Sequence, residues 1–116
     1  MNNREKKNIE RTVNRWQSAM DLGFVTVQNY FNDEESIATA EIITNWEYRE
    51  AAIVWNTPNL QGLTQKDLDE VAIHELGHII VAPMSDYLPN KHRKLEEFVV
   101  QGITRAIINI SYGKLR

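Results

Sequence analysis

Residues 71–80 read Val71-Ala72-Ile73-His74-Glu75-Leu76-Gly77-His78-Ile79-Ile80, and the rest of the chain arranges itself around this stretch. His74 and His78 are four apart. On a helix that spacing puts both imidazoles on one face, a turn apart, where they can reach a single ion. Glu75 follows the first histidine, so it points to the side of such an ion rather than at it, where it could hold and deprotonate a water. The remaining residues of the stretch are uncharged, which describes a helix buried on most of its sides. Two histidines and a glutamate inside such a run are costly unless they serve one another. A bare H-E-x-x-H arises by chance in many proteins; the apolar helical setting gives this one weight. The competing reading makes His74 and His78 satisfied core histidines and leaves Glu75 in solvent.

Working outward, Thr64 opens the helix, with Asp67 at the reciprocal position of a capping box and Asp69 and Glu70 near the positive helix end. Pro83 is expected to end it. A loop with Asp86, Tyr87 and Pro89 leads to a last helix over residues 91–112, capped by Gly113. Upstream, Ile9, Val13, Trp16 and Met20 form one apolar stripe on a helix over residues 4–20, stopped by Gly23. Three β-prone runs follow, near residues 24–31, 37–44 and 48–55, with a loop at 32–36 and a hairpin turn near Asn45. In the third run Ala51, Ile53 and Trp55 alternate with Ala52 and Val54, so both faces of that strand are partly buried. One helix, three strands and two helices describe an α+β domain, read as a three-stranded antiparallel sheet with the helices on one face.

The chain has 116 residues, enough for one domain, residues 1–116, with a modest core that a bound ion would help to stabilise. It contains no cysteine, which excludes disulfides, thiolate metal sites and cysteine catalysis. Any ion is left to His, Asp and Glu, and zinc accepts neutral imidazole nitrogen in tetrahedral geometry. The net charge of −3 argues against a nucleic-acid binder. Arg4, Lys6, Lys7, Arg11 and Arg15 are interleaved with Glu5 and Glu10, as on a solvated helix face. No run of 18 apolar residues would span a membrane. The polar start has no signal-peptide core, so the expected location is the cytoplasm.

A catalytic zinc usually takes three protein ligands plus water. The candidates downstream are Asp86, His92, Glu96 and Glu97; Met84 stands where a third histidine of the extended motif would be. At about 100° per residue, Leu95, Val99, Gly102, Ile103, Ala106, Ile107 and Ile110 cluster on one side of the last helix, which is therefore taken as inward. Glu96 falls at the edge of that side and Glu97 nearly opposite, so Glu96 is the favoured ligand and Glu97 a surface charge. Helix limits leave the two free to exchange roles.

The stretch VAIHELGHII resembles the active-site helix of the zincin metallopeptidases. Leu95-Glu96-Glu97-Phe98-Val99-Val100 resembles the glutamate-bearing helix of their gluzincin branch. The order of elements, with Trp55 ending a strand shortly before the active-site helix, is similar to the small peptidases of phages and mobile elements related to the ImmA/IrrE group. The resemblance covers the C-terminal half. It implies a minimal zincin-like fold and hydrolysis of a peptide or protein substrate. Zn2+ would be held by His74, His78 and Glu96, with Glu75 as general base. An antiparallel edge strand beside the metal, within residues 48–55, would receive the substrate. For a phage-encoded chain the location becomes the host cytoplasm. The lobe that supplies an oxyanion donor in larger gluzincins has no room here; Tyr87, His92 and Tyr112 are the candidates to replace it. The alternative function is a non-catalytic, metal-stabilised protein-interaction module in phage assembly or regulation.

Overall fold

A computed structural model of the chain describes residues 1–89 and 93–113. The elements are α1 (Asn3–Ala19), β1 (Thr26–Asn32), β2 (Ala40–Asn45), β3 (Glu50–Asn56), α2 (Gln65–Ser85) and α3 (Arg93–Ser111). Short 3-10 turns at Trp46–Tyr48 and Thr57–Leu60 flank β3.

Local sequence sets the helix limits. Asn2 and Glu5 form a reciprocal capping box at the start of α1, and Thr64 and Asp67 do the same for α2. The turn after α1 is made at Asp21, with φ 57°, two residues before the expected stop at Gly23. Pro83 does not end α2, which runs on to Ser85. A proline in the last turn forfeits one hydrogen bond, and the Asp86 amide still reaches the Ala82 carbonyl. That extra turn matters, because it carries Ser85 to the site described below.

The sheet is mixed rather than wholly antiparallel. Its order is β1-β3-β2, with β3 antiparallel to β2 and parallel to β1. Residues 33–39 bridge the gap of two strand spacings, roughly 10 Å, that separates β1 from β2. The chain then returns through Trp46–Tyr48 and left-handed Arg49, φ 55°, to lay β3 into that gap. Central β3 is shielded by a neighbour on each side, and Ala51, Ile53 and Trp55 are buried while Ala52 and Val54 are half-buried. Partial burial of both faces, visible as an unbroken apolar run, is the signature of an inner strand. The edge strand expected within residues 48–55 is therefore β2 instead.

One face of the sheet, with Ala51, Ile53 and Trp55 at its centre, joins Ile9 and Val13 of α1 and Ala72, Leu76 and Ile79 of α2 in the core. The other face is open, with Tyr30 and Ile43 exposed. Asp69 ties the helices together. Its buried carboxylate accepts hydrogen bonds from Arg15 and Trp16 of α1, Gln65 of α2 and the Tyr112 hydroxyl just beyond α3. Burial pushes this carboxyl up, but the Tyr112, Trp16 and Gln65 hydrogen bonds and the Arg15 charge outweigh it and hold it below the usual range.

α3 packs mainly on α2, and the side it presents differs from the expected one. Val100, Thr104 and Ile108 are buried, whereas Leu95, Val99 and Ile110 face outward. The helices meet at Gly77, where an added Cβ would stand 3.2 Å from Val100 Cγ1. Gly77 thus permits the approach of α3, not of the sheet. Thr104 enters the interface by donating its hydroxyl to the Val100 carbonyl, which satisfies its polar atom without a partner across the helices. No helix among the described residues is long and apolar enough to cross a membrane.

Candidate metal centre

His74 and His78 sit on consecutive turns of α2, their ring centroids 5.1 Å apart and their planes at 74°. Both turn their Nε2 atoms toward α3. His74 Nε2 lies 3.4 Å from Glu97 Oε2, and His78 Nε2 lies 3.2 Å from Glu97 Oε1. One donor atom from each of the three residues falls within 4.8 Å of the others, a set that could hold a metal ion. The two contacts use different oxygens of Glu97, so its carboxylate spans the gap between the two rings, where zinc would take one oxygen and two imidazole nitrogens as ligands.

Glu96, the residue singled out from the helical wheel, stands on the far side of His78. Its Oε1 is 2.9 Å from His78 Nδ1, and its other oxygen accepts the Ser85 hydroxyl. Burial raises the Glu96 carboxyl, but the hydrogen bonds from Ser85 and His78 and the charges of His78 and Arg93 prevail and keep it low. In the neutral ring, an ionised carboxylate at Nδ1 would hold the proton there and leave the Nε2 lone pair for an ion, which is the tautomer a metal requires. The inward side of α3 is therefore the boundary between Glu96 and Glu97, and the two carboxylates take the two nitrogens of one ring. Of the other candidates, Asp86 is engaged by Trp46 Nε1 at 2.8 Å and stands outside the cluster. His92 lies outside the described residues.

Glu75 is 93% buried beside the histidines, since its relative exposure is 7%. Among the described residues its carboxylate makes no hydrogen bond, yet neither oxygen is sealed from the adjoining cleft. Burial pushes its pKa up to about 7; the nearby His78 pulls it down, while Glu97 and Glu41 push it further up. A carboxyl held near neutrality beside two potential ligands is suited to exchanging protons with a water.

The cleft has a volume of about 490 Å3 and runs from His74 toward the start of α2. His74, Glu75, Glu70 and Asp67 form one wall, and Thr39 and Ala40, at the start of β2, form part of the other. Among the described residues its lining contains no Lys or Arg. Of the oxyanion candidates, Tyr112 is committed to Asp69 and Tyr87 is exposed in the turn after α2.

A scan against protein-family models, a search of curated proteins and a search of solved structures each found no match.

Proposed function

We propose that this chain is a minimal zincin-like metallopeptidase whose zinc is held by His74, His78 and Glu97. The observation that carries the reading is the convergence of two Nε2 atoms and one carboxylate, with a buried glutamate alongside that has no hydrogen-bond partner among the described residues. Glu97 takes the ligand role that the helical wheel gave to Glu96, and Glu96 becomes the residue that orients His78. A bound zinc would supply Lewis acidity toward a peptide carbonyl and a water.

The chain's own residues do the rest. Glu75 takes the water's proton and returns it to the leaving amine, a shuttle that its near-neutral pKa favours. The outer edge of β2 offers main-chain donors and acceptors to an extended peptide. Asp67, Glu70 and Glu75, with no Lys or Arg among the described lining residues, favour a positively charged substrate segment in the cleft.

The test is elemental analysis of the purified protein together with mass-spectrometric cleavage of a mixed peptide pool by wild type and Glu75→Gln. The expected result is about one zinc per chain in both proteins and turnover in wild type alone. Absence of zinc uptake, or equal turnover by the variant, overturns the assignment. A second reading, a metal-stabilised interaction module, draws on the commitment of the Tyr112 hydroxyl to Asp69, which withdraws one candidate oxyanion donor. Full zinc occupancy without cleavage of any peptide would favour it.

A further inference from the structure

α3 is apolar on two opposite sides. One side, Val100, Thr104 and Ile108, is spent on α2. The other carries Leu95, Val99, Gly102, Ala106 and Ile110 at spacings of four, three, four and four, with Phe98 on its flank. Leu95 is 51% exposed, Phe98 77%, Val99 39% and Ile110 63%. A contiguous exposed apolar stripe of this kind marks a candidate interaction surface. We propose that a second copy of this chain covers the outer side, forming a twofold dimer through antiparallel α3 helices.

Three observations select a second copy. First, the stripe reads nearly alike from either end: large Leu95, Val99, small Gly102, small Ala106, large Ile110. A twofold contact needs one patch that complements itself. Antiparallel pairing places Leu95 against Ile110, Val99 against Ala106 and the two Gly102 residues near the crossing. Second, a Cβ at Gly102 would meet nothing within 4 Å, so this helix leaves open the space that a partner backbone would enter. Third, the area is suitable. The four exposed side chains present on the order of 400 Å2, within the range of the largest, often functional, apolar patches on monomers. Gly102, Ile103, Ala106 and a polar rim extend it toward the ~800 Å2 per partner of a stable interface.

The dimer does not depend on the metal, but it bears on the site. α3 carries Glu96 and Glu97 and packs mainly on α2, so a partner across its outer side clamps both carboxylates against the histidines.

Sedimentation velocity and light scattering on metal-free protein, from micromolar to near-millimolar concentration, test the proposal. Wild type should run at twice the chain mass. Gly102→Glu should run at the single-chain mass with its circular dichroism unchanged, because the new side chain enters open space in the monomer. Ile110→Lys, at the rim, should do the same. Ile43→Glu, on the open face of the sheet, should leave the dimer whole. A wild type that is monomeric throughout, or that forms an open-ended series of oligomers, overturns the proposal. So does a dimer broken by Ile43→Glu and untouched by the α3 variants.

Discussion

Replacing Glu75 with Gln should stabilise the metal-free protein, and by an amount that depends on pH. Burial raises the Glu75 pKa from an ordinary 4.5 to about 7. Below pH 4.5 the carboxyl is protonated in both folded and unfolded chains, and this site adds no pH dependence. As pH rises past 4.5 the unfolded chain releases the proton while the folded chain keeps it, so unfolding becomes progressively easier. The loss levels off once pH passes 7, where the folded chain ionises as well. The difference of about 2.5 pKa units corresponds to roughly 3 kcal/mol at about 1.4 kcal/mol per unit. Gln has the same shape and no charge at any pH, so it escapes the penalty. Urea unfolding of both proteins in the presence of a chelator, at pH 5 and pH 8, isolates the effect, since titrations common to both largely cancel. The advantage of Glu75→Gln should be about 1 kcal/mol at pH 5 and about 3 kcal/mol at pH 8. An advantage that does not grow between these pH values would refute a desolvated Glu75, and with it the assignment of this residue as a proton shuttle.

The two neighbouring glutamates should separate in a zinc-competition titration against a chromogenic chelator. Glu97→Gln removes the proposed ligand and should weaken affinity the more, whereas Glu96→Gln removes only the partner of His78 and should cost roughly 10- to 100-fold; the reverse order would restore Glu96 as the proposed ligand. Asp69→Ala should cost about 2–3 kcal/mol in urea unfolding, because it strands four donors around a buried position, a cost moderated by the 57% exposure of the Arg15 side chain. The depressed Asp69 pKa stabilises the fold above the ordinary carboxylate range and loses that contribution as pH falls through its lowered value. The gap between wild type and Asp69→Ala should therefore narrow in acid, and a gap independent of pH would count against the hub.

The parts of the fold legible in the sequence were those set by local periodicity. The capping box at Thr64 and Asp67, the stripe of Ile9 and Val13, and the order of helices and strands follow from spacing within one element. The sheet's hand of pairing was not local. β1, β2 and β3 all read as strands, but whether β3 pairs outside β2 or slips between β2 and β1 depends on the connection 33–39, whose length permits either. The burial of both faces of β3 did hint at its inner position, since Ala52 and Val54 would sit poorly on an open edge. The outward face of α3 misled for a different reason. An amphipathic wheel identifies the apolar side of a helix but not what covers it, and on α3 the larger apolar stripe lies away from α2.

That same wheel asked which of two adjacent glutamates points inward, and the question has no single answer. Neighbouring residues on a helix diverge by about 100°. Two carboxylates so splayed cannot easily bind one atom, but they can embrace a ring from both sides. Glu96 stands 2.9 Å from Nδ1 of His78 and Glu97 3.2 Å from its Nε2, with the imidazole between them. The pairing requires α3 to approach α2 closely enough for both to reach, which is where Gly77 against Val100 enters. It also requires something to hold Glu96 to its side, and the Ser85 hydroxyl does so from the turn of α2 beyond Pro83. A glycine, a serine and a helix that outlasts its proline are each unremarkable in a sequence. Their common effect is to aim Nε2 of one imidazole at the carboxylate that His74 also faces.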